Sequence, residues 1–123
     1  MAFKIIVCDH IHSAGLEFLK KEKDIEMVDL SNLPKDELLT KLKDADVAIT
    51  RSSTEVGEKF LSAVSNLKAI VRAGVGVDNV DIEGCSKKGI IVMNVPTANT
   101  IAAVELTMAH IINSVRNFPG ANH

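Results

Sequence analysis

The chain has 123 residues, of which 46% are hydrophobic and 24% charged, a balance typical of one globular domain with a core of its own. Its formal net charge of -2 favours neither nucleic acid nor an anionic membrane as a partner, and no apolar run is long enough to span a bilayer. Cys8 and Cys85 are too few for a disulfide framework, and the N-terminal residues indicate a strand rather than a signal peptide. We therefore expect a cytoplasmic protein with reduced thiols.

Short apolar runs alternate with amphipathic segments along the chain. The predicted strands cover residues 4–8, 25–30, 46–50, 68–72 and 90–93, and the predicted helices cover 13–21, 34–42, 59–65, 82–88 and 101–117. Near-continuous apolar strands that alternate with helices are typical of a parallel sheet with helices on both faces. The fold class expected from the sequence is therefore α/β, a parallel sheet flanked by helices, with a long helix at the C-terminal end.

Polar segments follow three of the strands directly: residues 9–10, Arg51 with Ser52, and the glycine turn of residues 74–76. Ligands of open α/β sheets bind beyond the carboxyl ends of the strands. The guanidinium of Arg51 suits a carboxylate or a phosphate, and successive N–H groups of a glycine turn can surround an anion. Two simpler interpretations stay open: the turn only reverses the chain, and Arg51 and Arg72 are ordinary surface arginines.

The glycine turn begins like the dinucleotide fingerprint G-x-G-x-x-G but does not complete it. Asn79 stands where the third glycine is required, and the next helix begins only after Asp81. The chain contains no P-loop, and its histidines have neither the spacing of metal ligands nor that of a catalytic triad. A phospho-acceptor receiver domain would need an aspartate after strand three and a lysine after strand five, where Arg51 and Asn94 stand. We expect no metal site and no pyrophosphate cradle.

The last predicted helix is apolar on two sides. Its first stripe contains Ile101, Val104, Met108, Ile111, Val115 and Phe118, and its second contains Ala102, Leu106 and Ala109. One stripe is expected to pack on the sheet and the other to meet another domain or another subunit. The alternative, a helix fully buried in a single core, also remains open.

Four segments in a fixed order carry a family resemblance. They are Arg51-Ser52-Ser53-Thr54, Arg72-Ala73-Gly74-Val75-Gly76-Val77-Asp78-Asn79-Val80-Asp81, Lys88-Gly89-Ile90-Ile91-Val92-Met93-Asn94-Val95-Pro96-Thr97-Ala98-Asn99 and Ala103-Val104-Glu105. Together they resemble the D-isomer-specific 2-hydroxyacid dehydrogenases, and most closely the members that act on 3-phosphoglycerate. The resemblance implies a flavodoxin-like substrate-binding domain over residues 1–98. It also implies an interdomain helix over residues 99–123, leading into an NAD-binding domain with no counterpart here. We expect the chain to be part of such a longer enzyme.

The activity implied by the resemblance is the NAD-dependent oxidation of 3-phosphoglycerate to 3-phosphohydroxypyruvate in serine biosynthesis. Alternatives are a reductase of hydroxypyruvate, glyoxylate or D-lactate from the same family, and a stand-alone module that binds a small anion. The family's catalytic histidine, glutamate and arginine have no matching position, so we expect no catalytic residue in this chain and no activity from it alone. The cofactor NAD would be bound mainly by the other domain. A homo-oligomer would form through the long helix or that domain.

Carried over position by position, the resemblance assigns a substrate-binding and a cofactor-binding set. The expected substrate-binding residues are Arg51, Ser52, Arg72, Gly74, Val75 and Gly76, and the expected cofactor-binding residues are Val75 and Asn99. In this assignment Arg51 meets the substrate's phosphate, and the backbone amides of the glycine turn hold its carboxylate. Val75 lies at the nicotinamide end of the cofactor, and Asn99 lies at the start of the interdomain helix, near the cleft.

Overall fold

The computed structural model of the chain describes residues 2–116 and residue 120. The strands are β1 (Phe3–Val7), β2 (Ile25–Asp29), β3 (Val47–Thr50), β4 (Ala69–Arg72) and β5 (Ile91–Met93), and the helices are α1 (Ser13–Lys20), α2 (Lys35–Thr40), α3 (Glu58–Ala63), α4 (Ile82–Lys87) and α5 (Thr100–Arg116). Each described end falls within about two residues of the predicted one. The predicted end of the last helix at Asn117, and Phe118 of its first stripe, lie outside the described residues.

The strands form one parallel sheet in the order β2-β1-β3-β4-β5. This is the strand order of flavodoxin-like folds, so the predicted fold class is confirmed. The order reverses between β1 and β3, and β4 lies next to β3. The segments that follow these three strands, which begin at Cys8, Arg51 and Ala73, therefore meet at one edge of the sheet.

The main core lies on one face of the sheet. Alternate residues of the central strands, Ile6, Ala48 and Ile70, are fully buried there and belong to the same cluster as Leu38 of α2 and Phe60 of α3. Burying a side chain as large as isoleucine or leucine stabilises a fold by about 1.5–3 kcal/mol. Helix α3 contacts both α2 and α4, whereas α1 contacts β2. Because parallel crossovers are right-handed and β2 lies on the other side of β1, α1 covers the opposite face.

Helix α5 differs from its prediction. None of its described residues is buried, and residues of both stripes are exposed, among them Ile101 at 75%, Leu106 at 59% and Val115 at 76%. The prediction that one stripe packs on the sheet is wrong, and so is the alternative of a fully buried helix. The physical reason is the path of the chain: within the described residues α5 makes no close backbone contact with any strand or other helix.

Both cysteines are buried and unbonded. Burial raises the pKa of Cys8 to about 12 and also raises the pKa of Cys85, so both are neutral thiols at physiological pH. Neither is therefore an activated nucleophile. In the part of the chain that the structure describes, no helix has the length and apolar character needed to cross a membrane.

Candidate active-site edge

A buried carboxylate holds the loop that follows β3. Asp9, directly beyond β1, is 3% exposed. Its oxygens accept hydrogen bonds from the N–H of Arg51 at 2.6 Å and from the N–H and hydroxyl of Thr54 at 3.1 and 2.7 Å. The Lys35 ammonium donates a fourth at 2.5 Å. Burial raises the pKa of Asp9, but hydrogen bonds from Lys35, Thr54 and Arg51 more than offset it, so the pKa lies below its ordinary value. Asp9 is thus a charged anchor for this loop.

The side chain of Arg51 extends from this anchored loop into solvent. One of its terminal nitrogens, Nη1, donates to the carbonyl oxygen of His10 at 3.0 Å. A guanidinium has five N–H donors, so most of them stay available to a ligand. Ser52 is also exposed and lines a shallow bowl together with Asp78 and Asn79. Arg51 and Ser52 therefore lie together at the carboxyl edge of the sheet, as predicted.

Three hydrogen bonds fix the shape of the glycine turn after β4. The N–H of Gly74 donates to the carbonyl of Arg72 at 2.8 Å, and the carbonyl of Gly74 accepts from the N–H of Val95 at 2.9 Å. The side-chain amide of Asn94 donates to the carbonyl of Val75 at 2.8 Å. The carbonyls are thereby held by the segment that leaves β5.

The turn presents two backbone donors. Within residues 2–116 the N–H groups of Val75 and Gly76 make no hydrogen bond, whereas that of Gly74 has an acceptor. The part that Gly74 plays in holding a carboxylate stays a prediction, because its N–H already donates to the carbonyl of Arg72. A Cβ at Gly74 would collide with Nη1 of Arg72, so the end of that side chain would have to move, and a Cβ at Gly76 would lie 3.0 Å from an oxygen of Asp78.

Arg72 lies under the turn. Its side chain is 11% exposed, and Nη2 is 3.9 Å from the exposed carboxylate of Asp78. Its Nε donates to the side-chain oxygen of Asn79 at 2.8 Å. The amide nitrogen of Asn79 in turn donates to the carbonyls of Arg51 at 2.7 Å and Thr54 at 2.8 Å. Asn79 thus holds the Arg72 side chain next to the turn. Direct contact of Arg72 with a substrate stays a prediction.

Val75 and Asn99, the two predicted cofactor contacts, line one groove of about 480 Å³ between the turn and α5. The other lining residues are Thr100, Ala103, Val104, Thr107 and Met108. The lining is mostly apolar, carries hydroxyl and amide groups, and contains no charged side chain. These residues fit a flat ring with a carboxamide, such as nicotinamide, but offer no cation for a pyrophosphate. Among residues 2–116 and 120, no group of histidines, cysteines and carboxylates is arranged to hold a metal ion.

Residues 5–118 match the family model described as "D-isomer specific 2-hydroxyacid dehydrogenase, catalytic domain". The chain belongs to this family. It is similar to the D-3-phosphoglycerate dehydrogenase of Methanocaldococcus jannaschii, with 44% identity over 118 residues, 96% of this chain and 22% of that relative. The chain thus spans about a fifth of the length of this relative. The predicted resemblance is confirmed.

Two solved structures of 2-hydroxyacid dehydrogenases show the same fold. The NAD+-bound 3-phosphoglycerate dehydrogenase of Entamoeba histolytica superposes with a TM-score of 0.76 at 32% identity, over 92% of this chain and 39% of that one. The D-lactate dehydrogenase of Aquifex aeolicus, complexed with NAD and lactic acid, has a TM-score of 0.67 at 26% identity, over 89% of this chain and 33% of that one. The fold of this chain is therefore shared by relatives named for different substrates.

The structure adds residues that the sequence did not assign to the candidate site. Asp9 was noted only for its position after a strand, Asn79 only as a departure from the dinucleotide fingerprint, and Lys35 not at all. A carboxylate placed directly after a buried strand was an available signal for Asp9. Lys35 lies 26 residues from Asp9, and no local pattern links the two.

Proposed function

We propose that the chain is the substrate-binding part of an NAD-dependent D-2-hydroxyacid dehydrogenase whose substrate is 3-phosphoglycerate. One observation carries this proposal. The exposed guanidinium of Arg51 and the free N–H groups of Val75 and Gly76 follow two neighbouring strands, β3 and β4, and Asn79 links the two segments. Such a pair of segments suits a small molecule with an anionic group at each end.

In this proposal the two segments divide the recognition of the substrate. Arg51 binds the phosphate, with Ser52 beside it, and the amides of Val75 and Gly76 bind the carboxylate. The groove at Val75 and Asn99 lies next to the carboxylate site and would receive the nicotinamide, which supplies the hydride acceptor when bound. Fixing the substrate in this way can lower a barrier by about 7 kcal/mol at best. It does not replace a general base, so we expect no NAD-linked turnover from the isolated chain.

The same family offers other substrates. The likeness to a D-lactate dehydrogenase favours lactate as a second candidate, and hydroxypyruvate and glyoxylate share its carboxylate. For these acids the glycine turn would suffice and Arg51 would have no phosphate to bind. A stand-alone module would bind small anions with no preference for a 2-hydroxy acid. Binding measurements separate these possibilities.

The proposed enzyme is cytoplasmic and homo-oligomeric. Two unbonded, buried thiols agree with a reducing compartment. The uncovered apolar surface of α5 is a candidate contact between subunits.

The test is an NMR titration of the 123-residue chain with 3-phosphoglycerate, with D-lactate and with inorganic phosphate. We expect 3-phosphoglycerate to bind most tightly, with shift changes at Arg51, Val75 and Gly76. Arg51→Gln should weaken its binding about tenfold or more, because charged hydrogen bonds to the phosphate are lost. Lys43→Gln removes the same charge from the loop before β3, at the opposite edge of the sheet, and should leave binding unchanged.

Three other results of the titration would change the proposed substrate or overturn the proposed site. Equal affinity for D-lactate and 3-phosphoglycerate would replace the phosphoglycerate assignment by the lactate one. Binding of inorganic phosphate as tight as that of 3-phosphoglycerate would support a general anion module. No binding of any of them at Arg51 or the glycine turn would overturn the proposed site.

A further inference from the structure

The side chain of Asn79 connects the two segments of the candidate site that follow β3 and β4. Its amide nitrogen donates to the carbonyl of Arg51 at 2.7 Å and to that of Thr54 at 2.8 Å. Its amide oxygen accepts from Nε of Arg72 at 2.8 Å. A primary amide offers two donors and an oxygen with two lone pairs, so Asn79 makes three of its four possible hydrogen bonds here and uses both of its donors.

These hydrogen bonds span the two anion-binding segments. Arg51 and Thr54 lie in the loop after β3, which carries the exposed guanidinium. Arg72 ends β4, its carbonyl accepts from the N–H of Gly74 at 2.8 Å, and its guanidinium lies against Gly74. Arg72 therefore contacts the glycine turn through both its backbone and its side chain. Through one amide group, Asn79 fixes both segments relative to each other.

Backbone hydrogen bonds on both sides of Asn79 fix the position of this residue. The carbonyl of Asn79 accepts from the N–H of Val56 at 2.8 Å, and the N–H of Asp81 donates to the carbonyl of Val56 at 2.8 Å. Val80, between them, is 7% exposed and part of the core. Asn79 is thus held by a short parallel bridge that is independent of its side chain. Truncating the amide should leave the bridge in place.

We propose that Asn79 is a positioning residue that sets the distance between the two anion sites, and so selects ligands with two anionic groups at a fixed separation. A ligand with one anionic group needs only one segment to be correctly placed. A ligand with two needs both at once, and loses affinity when the segments move independently. This proposal rests on the proposed function, because it assumes that Arg51 and the glycine turn bind the two ends of one molecule.

The first experiment compares Asn79→Ala with Asn94→Ala in titrations with 3-phosphoglycerate and D-lactate. Asn94 holds only the glycine turn, through the carbonyl of Val75. We expect Asn79→Ala to weaken 3-phosphoglycerate binding about tenfold while changing D-lactate binding by less than about twofold. Asn94→Ala should weaken both ligands by a similar factor. Equal factors for both ligands in Asn79→Ala would overturn the proposal.

The second experiment needs no ligand and separates failure of this proposal from failure of the proposed function. In the free chain, NMR relaxation should show increased motion of residues 51–54 in Asn79→Ala, together with a shifted Arg72 Nε–H signal. Unchanged relaxation and an unchanged signal would overturn the positioning role whatever the chain binds. If wild type does not bind 3-phosphoglycerate, the proposed function fails while the coupling is still measured. If Asn79→Ala unfolds, Asn79→Ser, which keeps one short polar group, is tested by the same criteria.

Discussion

At the level of single residues, Asp9 explains how an exposed arginine can be precisely placed. Its carboxylate is 3% exposed and accepts four hydrogen bonds from Lys35, Arg51 and Thr54. Such a group must be charged to satisfy its donors, and leaving them without an acceptor is costly. The loop after β3 is therefore ordered by a group that need not touch a ligand.

Replacing Asp9 by asparagine should lower the free energy of unfolding at neutral pH by about 1–3 kcal/mol, since buried donors lose a charged acceptor. Because the folded-state pKa of Asp9 is lowered, its contribution is present above the unfolded-state value of about 3.9. That contribution is lost as the pH falls through the folded-state pKa. Urea denaturation at several pH values should show a weaker acid dependence for Asp9→Asn than for wild type.

The matched control is Asp44→Asn, which removes an exposed carboxylate paired with Lys4 at 2.8 Å. Its effect on the free energy of unfolding should be much smaller. If Asp9→Asn lowered the free energy of unfolding no more than Asp44→Asn does, the buried carboxylate of Asp9 would not stabilise the fold appreciably.

The sequence predicts those candidate site residues whose position follows directly from a strand. Arg51, Ser52 and the glycine turn each come directly after an apolar run, and the edge of a parallel sheet brings such segments together. The residues it did not assign depend on partners far along the chain. Asn79 bonds to the carbonyl of Arg51 across 28 residues, and only the folded sheet brings the two together.

At the level of helices and strands, most boundaries are encoded locally. Asp81 caps α4, with its carboxylate accepting from the N–H of Gly84 at 3.0 Å. Gly89 follows α4 with φ +70, the left-handed conformation that favours glycine at a helix end. The start of α1 is less predictable from the sequence: its cap is His12, whose Nδ1 accepts from the N–H of Ala14 at 3.1 Å. A histidine cap has no strong sequence signal.

Two helical glycines should respond in opposite directions to replacement by alanine. A Cβ at Gly15 of α1 would meet only Ile11, at 3.7 Å, so Gly15→Ala should raise the free energy of unfolding by about 0.5–1 kcal/mol through helix propensity. A Cβ at Gly84 of α4 would lie 2.8 Å from Leu61 and 2.5 Å from the capping carboxylate of Asp81. Gly84→Ala should therefore lower it by about 1–2 kcal/mol, because the cap is displaced.

Thermal and urea denaturation of the two variants check this pair of predictions. Each variant is the control for the other, since both make the same chemical change within a helix. Stabilisation by Gly84→Ala would mean that α4 can shift away from α3 at little cost. Destabilisation by Gly15→Ala would mean that α1 packs more tightly than its lack of buried residues indicates.

At the level of the whole molecule, apolar surface is unevenly covered. The face of the sheet that carries α2, α3 and α4 encloses the main core, whereas Ile91 and Met93 of β5 remain 63% and 46% exposed. Helix α5 adds a second uncovered surface. The two-sided apolar pattern of α5 was visible in the sequence, and its partners stay a prediction. The pattern could not indicate that the sheet covers neither stripe, because periodicity reports which faces are apolar and not what meets them.

An uncovered helix of this kind should make the isolated chain self-associate. Ile101, Val104, Met108, Ile111 and Val115 form one stripe and are all at least half exposed. Burying such a stripe against a second copy removes apolar surface from water. Sedimentation equilibrium should show concentration-dependent oligomers. Ile111→Glu should shift them toward monomer, because a charge is placed in the stripe.

His110→Glu places the same charge on the same helix but outside both stripes, and should leave the association unchanged. If both variants dissociated the oligomer equally, net charge rather than the stripe would drive association. A wild-type chain that stayed monomeric at high concentration would show that α5 does not drive self-association. The stripe would then need a partner other than a second copy of this chain.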